Sequence, residues 1–202
     1  DGITFTFPLA YTLAPGERAV LVRDSAAFAA VHPGVPIAGI FEGAFNNGGE
    51  LVAISDSLGN EILAFTYGND LPWPDHADGG GSSLVLIAPK SAPDHGMPQN
   101  WRASTAPGGT PGGTDAVSYH GGDLLTYALA EPASLDFSTG NLSAPLAPGA
   151  DDVEVVPQWS ADLVNWNEDH FDYLGGEPRQ WRIHSPPLGG PRLFFRLKVQ
   201  VR

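Results

Sequence analysis

Glu50-Leu51-Val52-Ala53-Ile54-Ser55, Asp56-Ser57-Leu58-Gly59-Asn60 and Glu61-Ile62-Leu63-Ala64-Phe65-Thr66-Tyr67 follow one another without a break. Two apolar runs flank a polar segment that ends in Gly-Asn, which reads as the strand, turn and strand of a hairpin. The segments around it repeat the pattern. Upstream, Phe41-Glu42-Gly43-Ala44-Phe45 leads into Asn46-Asn47-Gly48-Gly49, a turn of residues that tolerate positive φ. Ile3-Thr4-Phe5-Thr6-Phe7 alternates apolar residues with Thr at a period of two and ends at Pro8. Leu13-Ala14-Pro15-Gly16 is a turn, and Ala19-Val20-Leu21-Val22 is a continuous apolar strand suited to a central, two-sided position. Residues 82–87 give one more strand. A short helix is expected over residues 24–31, where Asp24 supplies the N-cap and alanines fill the body.

Residues 103–115 are rich in Gly, Pro and Thr and carry no hydrophobic period, the signature of a domain boundary. Beyond it, residues 124–129 read as a short helix or a strand, the helix favoured, and residues 153–159, 180–184 and 193–201 as strands. In the last of these, Phe195, Leu197, Val199 and Val201 alternate with Arg196, Lys198, Gln200 and Arg202. The fold expected is therefore all-β, with two small β-sandwich modules over residues 1–112 and 123–202 and a linker over 113–122.

Composition bounds the function. Of 202 residues, 42% are hydrophobic, with five Trp and ten Phe, enough apolar material to build real cores. Cysteine is absent, which excludes disulfides and thiolate metal sites. No run approaches the roughly 18 apolar residues of a membrane-spanning helix. The formal charge of −13 repels phosphate backbones, so a nucleic-acid partner is disfavoured. Charge is also unevenly placed: from Asp123 to Glu177 every charged residue is acidic, and from Arg179 to Arg202 every one is basic. Either the basic last strands pair across the sheet with acidic ones, or they form a basic face for a surface polyanion.

An ordered set of short motifs runs through the first half. It comprises Phe5-Thr6-Phe7-Pro8, Leu13-Ala14-Pro15-Gly16, Asn47-Gly48-Gly49-Glu50, Phe65-Thr66-Tyr67-Gly68, Trp73-Pro74, Asp78-Gly79-Gly80-Gly81-Ser82-Ser83-Leu84, Asn100-Trp101-Arg102 and Gly109-Thr110-Pro111-Gly112. In this order they resemble a bacterial lamin-tail domain, which implies an immunoglobulin-like β-sandwich. The family's opening strands have no counterpart here. The resemblance therefore implies an incomplete sandwich, in which the opening strands are lacking or are supplied by another chain or an upstream fragment, and a piece of a longer protein is expected. The second half carries Leu124-Leu125-x-Tyr127-Ala128-Leu129, Ser160-x-Asp162-Leu163-x-x-Trp166 and Phe194-Phe195-Arg196-Leu197. It is similar to a C-terminal β module of large exported bacterial proteins.

No Gly-x-Ser-x-Gly elbow, His-Glu-x-x-His pair or phosphate-binding glycine loop followed by Lys occurs, so the chain is not expected to be an enzyme and no catalytic residue or cofactor is expected. Two acidic clusters offer oxygen ligands of the kind calcium takes, Asp75-His76-x-Asp78 with Asp94-His95, and Glu168-Asp169-His170-x-Asp172. Asp75, Asp78, Asp169 and Asp172 are the candidate ligands, and a solvated acidic loop is the competing reading of each. Trp73 lies between prolines and is the indole expected to be exposed, where it would stack on a sugar ring. Trp101 and Trp166 read instead as packing or loop-pinning residues. The function expected is a non-catalytic, secreted or cell-surface module for structure or adhesion at the end of a larger bacterial protein. Its partners would be other domains of that protein and a surface polysaccharide or protein. The alternatives are an accessory domain of a surface hydrolase or kinase-like enzyme, and a carbohydrate- or calcium-dependent binding module.

Overall fold

The structure, a computed structural model, describes residues 2–175, 179–183 and 192–202. It is all-β with two short helices. In chain order the elements are β1 (Gly2–Thr4), β2 (Leu21–Val22), α1 (Ser25–Val31), β3 (Gly39–Ile40), β4 (Glu42–Ala44), β5 (Leu51–Ser55), β6 (Glu61–Thr66), β7 (Leu84–Leu86) and β8 (Trp101–Ala103). The second half adds α2 (Leu124–Ala128), β9 (Ser134–Asp136), β10 (Asn141–Ala144), β11 (Val153–Ser160), β12 (Phe171–Gly175), β13 (Arg179–Ile183) and β14 (Phe194–Val201).

Local chemistry accounts for the elements that the sequence announces. Asp24 accepts hydrogen bonds from the Ala26 and Ala27 amides and so caps α1. Asp123 does the same for Leu125 and Thr126 at the start of α2. In the β5–β6 turn, Asp56 Oδ1 accepts from the amides of Leu58 and Asn60, and Asp56 Oδ2 accepts from the Asn60 side chain. This Asx turn delivers β6 antiparallel to β5, with Val52 opposite Phe65 and Ala53 opposite Ala64.

The first half departs from a continuous sandwich. Among the described residues, its eight strands form four separate two-stranded sheets: β1 with β4, β2 with β3, β5 with β6 and β7 with β8. The strand expected over residues 3–7 pairs only as far as Thr4, because its partner β4 is three residues long. Beyond it, the Phe5 ring lies over Gly39, so close that a Cβ there would come within 2.2 Å of the ring. Residues 19–22, expected as a central strand, pair over only two residues with β3, in parallel, through the crossover helix α1. Pro33, Gly34 and Pro36 in the return segment limit how much chain can extend alongside.

The second half has a core drawn from two sheets. One is four-stranded, in the order β12-β13-β10-β9, and the other pairs β11 with β14 along eight residues. Leu142, Ala144 and Trp181 from the first pack with Val153 and Val155 from the second, and Ala128 of α2 is fully buried among them. Basic and acidic residues meet at two points: Arg182 sits opposite Asp172 across the sheet, and Lys198 Nζ lies 3.5 Å from Glu168 in the loop after β11. Arg196 and Gln200 instead sit opposite Gln158 and Glu154 and hydrogen-bond to them. His184, expected at the end of β13, lies outside the described residues.

Leu142→Ala should lower unfolding stability by about 2–5 kcal/mol, since it opens a cavity in this core. Leu58→Ala, at a residue 86% exposed in the β5–β6 turn, should change it by less than about 0.5 kcal/mol. Urea titration of the two variants checks the contrast.

Candidate functional site

Among the described residues, the most deeply buried charges lie where the two halves meet. β8 alternates across its sheet as Trp101-Arg102-Ala103, and Arg102 points to the opposite side from Trp101. There its guanidinium meets two carboxylates. Nε and Nη2 donate to the two oxygens of Asp151 at 2.5 Å each, a bidentate fork. Nη1 donates to Asp115 Oδ2 at 2.5 Å and to the Ala103 carbonyl at 2.9 Å. The Arg102 side chain is 9% exposed and those of Asp115 and Asp151 are 2% and 8% exposed. Three charges buried this far are tolerated only because each is paired and hydrogen-bonded.

The chain around this triad is held as tightly. Asp115 also accepts from the Thr105 amide and hydroxyl, both at 2.9 Å. The Val117 amide donates to the Gly149 carbonyl at 2.7 Å, and the Tyr119 amide to Asp152 at 2.6 Å. The Tyr127 hydroxyl donates to Asp152 at 2.7 Å, tying α2 to the same loop. Gly149 has a φ of +81° and lies so close to Thr105 and Val117 that a Cβ would meet their methyl groups at 3.0 Å. Residues 113–122 thus run across the 147–152 loop, bonded to it at Val117 and Tyr119.

Protonation follows from these partners. Burial alone pushes the Asp115 carboxyl up, but hydrogen bonds from Arg102 and Thr105 outweigh it, so its pKa falls below 3.8. Asp152 behaves alike: burial raises it, and the Tyr119 amide and Tyr127 hydroxyl lower it further. Burial and the Asp152 charge together raise the Tyr127 phenol, which stays protonated as a donor.

Beside the triad opens a cleft of 280 Å³ whose walls include Pro74, His76, Arg102, Pro148 and Asp151. The guanidinium nitrogens facing it are already bonded to protein oxygens. The arrangement fastens β8 electrostatically to two distant segments of chain.

The other expected site residues fall elsewhere. Trp73 is 8% exposed, which corrects the expectation of an open stacking platform. Its indole packs 6.2 Å from the Trp101 ring and against Gly68, next to buried Pro74. Trp101 pins its loop by donating to the His95 carbonyl at 2.8 Å. Asp75 Oδ1 accepts from the His76 amide and Asp78 from the Asn69 side chain. Asp169 accepts from the Trp159 indole at 2.9 Å, and Asp172 lies on β12 opposite Arg182. Among the described residues, no three His, Asp or Glu side chains converge to hold a metal ion.

The second-half motif has a structural account. Asp162 accepts from the amides of Val164 and Asn165 and from the Asn165 side chain, while buried Ser160 accepts from Leu163. Arg196 then stacks over Trp166, 3.9 Å from the ring centroid. Sequence reasoning missed the Arg102 triad. The available signal was one cation inside an apolar strand, just ahead of the presumed boundary.

In comparisons with known proteins, no protein-family model, curated protein or solved structure matches this chain.

Removing one partner should expose the cost of the buried charges. Arg102→Met leaves two carboxylates without their counter-charge and should cost about 3–5 kcal/mol in urea unfolding. Replacing all three residues by apolar ones of similar volume should restore most of that loss. Acid should act through the same groups. Asp115 and Asp152 have folded pKa values below 3.8, so the unfolded chain takes up protons first as pH falls. Their contribution is intact above that value and is lost as pH drops through the folded values. Melting temperature followed from pH 7 downwards should therefore fall below about pH 4, and less steeply in Asp115→Asn.

Proposed function

We propose that this chain is a non-catalytic structural or adhesion module of a larger, secreted or cell-surface bacterial protein, in which the Arg102 junction fixes the direction of one β part relative to the other. The observation that carries this reading is the saturation of the triad. Every guanidinium nitrogen of Arg102 is bonded to a group of the protein itself, from three separate segments of chain. A cluster spent in this way transmits load and orientation, which is the service a spacer or anchoring unit performs. The lamin-tail-like motifs of residues 2–112, with the immunoglobulin-like sandwich they imply, and the exported-protein motifs of residues 123–202 support the same reading. The acidic balance suits an exterior position and partners among the other domains of the parent protein or at a cell surface.

Fixed geometry is measurable, because the chain has no cysteine and accepts two unique labels. Leu58→Cys and Val164→Cys, at residues 86% and 77% exposed, place spin labels in the two halves. A narrow distance distribution is expected, broadening when Arg102→Gln is added while strand content is retained. A distribution equally broad with and without Arg102 would count against a fixed module.

A further inference from the structure

The second half takes in chain and gives it out at one place. Asp151 holds Arg102 of β8. Asp152 accepts from the Tyr119 amide at 2.6 Å through its side chain, and from the Arg202 amide at 2.8 Å through its carbonyl. Val153 opens β11, stands opposite Val201 at the end of β14, and accepts from Arg202 Nε at 3.1 Å. Three consecutive residues thus bind both the incoming chain and the last residues of β14.

A pull between the first half and residue 202 therefore follows a short path. It crosses from β8 to Asp151 through the guanidinium fork, passes along the backbone to Asp152 and Val153, and leaves through Arg202. Residues 103–150 and 154–200 lie off that direct path while both contacts hold. The two contacts are unequal. The fork is buried and charge-assisted, and its bonds must break together. The Arg202 contacts are single hydrogen bonds to neutral carbonyls, at a strand end whose last residues are exposed and water competes for the same groups.

Geometry then decides how β14 gives way. The two strands are antiparallel, so Val153 and Val201 sit at the same, loaded end of the ladder. Force applied there falls on one residue pair at a time, whereas strands pulled past each other would share it along all eight pairs. Among the described residues, no strand other than β11 pairs with β14. We infer that β14 is a release strand: tension passed across the Arg102 junction opens the second half by peeling β14 from β11, starting at Arg202, while the junction stays closed. Leu197 and Val199 pack against the core, so their reburial draws the strand back when tension falls. The inference rests on the reading of the chain as a load-transmitting module and places its yielding point.

The chain has no cysteine, so a reversible staple can be set across the loaded end. Glu154 and Gln200 stand opposite each other and are bonded side chain to side chain at an exposed position. Opposed residues of an antiparallel pair bring their Cα atoms within about 4.5–5.5 Å, inside the range that a disulfide spans. The full chain carrying Glu154→Cys and Gln200→Cys, held by tags at its two ends in an optical trap, is pulled reduced and oxidised. Reduced molecules should show a low-force lengthening step that reverses on relaxation, and oxidation should abolish it or move it to several-fold higher force. With Leu51→Cys and Thr66→Cys instead, across β5 and β6, that step should be the same in both states. Each variant is its own reference, so a folding defect caused by the cysteines does not mimic the result. If oxidation of the 154–200 pair leaves the force of every low-force step unchanged, the second half yields elsewhere and the proposal is overturned. Loss of the step with the 51–66 staple overturns it as well. The spin-label distances can stay narrow whichever result is found, so failure here is separable from failure of the fixed-module reading.

Discussion

Arg102 is the residue on which the two halves depend. It leaves β8 on the side away from Trp101 and meets Asp151 and Asp115, which belong to different segments of chain. A buried guanidinium costs several kcal/mol to desolvate and offsets that cost only with well-aligned acceptors. The acceptors are aligned because the 147–152 loop is itself held by the Val117 and Tyr119 amides and by Tyr127 from α2. Moving any of these leaves a charge unpaired. The junction is therefore a geometric constraint more than a source of net stability.

The two halves stand in different physical states on either side of it. The second closes its core between two sheets, with α2 among the buried residues and Arg196, Lys198 and Gln200 bonded across the sheet or to the loop that follows β11. The first has buried residues, Val22, Trp73, Ile87 and Ala103, but they are spread among small ribbons instead of gathered in one cluster. Its aromatic side chains pair locally, Phe65 stacked on Trp101 and Phe5 edge-on to Phe7.

What could be read in the sequence was local. Asp24 announced its helix because a capping carboxylate acts within three residues, and the Asp56 turn is local in the same way; the helix after Asp123 was harder to tell from a strand, and its cap is seen in the structure. The alternation of residues 193–201 gave β14 its two faces. Strand extent was less legible, since it depends on the partner: residues 19–22 look like a long strand and pair over two residues. Trp73 was misjudged because proline flanks suggest an exposed loop, whereas its burial comes from Trp101 and Gly68, both supplied by the fold. The triad was hidden by distance along the chain, Arg102 lying 49 residues before Asp151. No periodicity or motif links the two.

The most direct test of the junction is whether the halves unfold together. Trp73 and Trp101 report on the first half, and Trp159 and Trp181 on the second. Single-tryptophan versions of the chain, followed by fluorescence through a urea titration, give the transition of each half separately. A fastened junction predicts coincident midpoints and slopes for all reporters at neutral pH. Separate transitions, with one half unfolding while the other keeps its native emission, would contradict it.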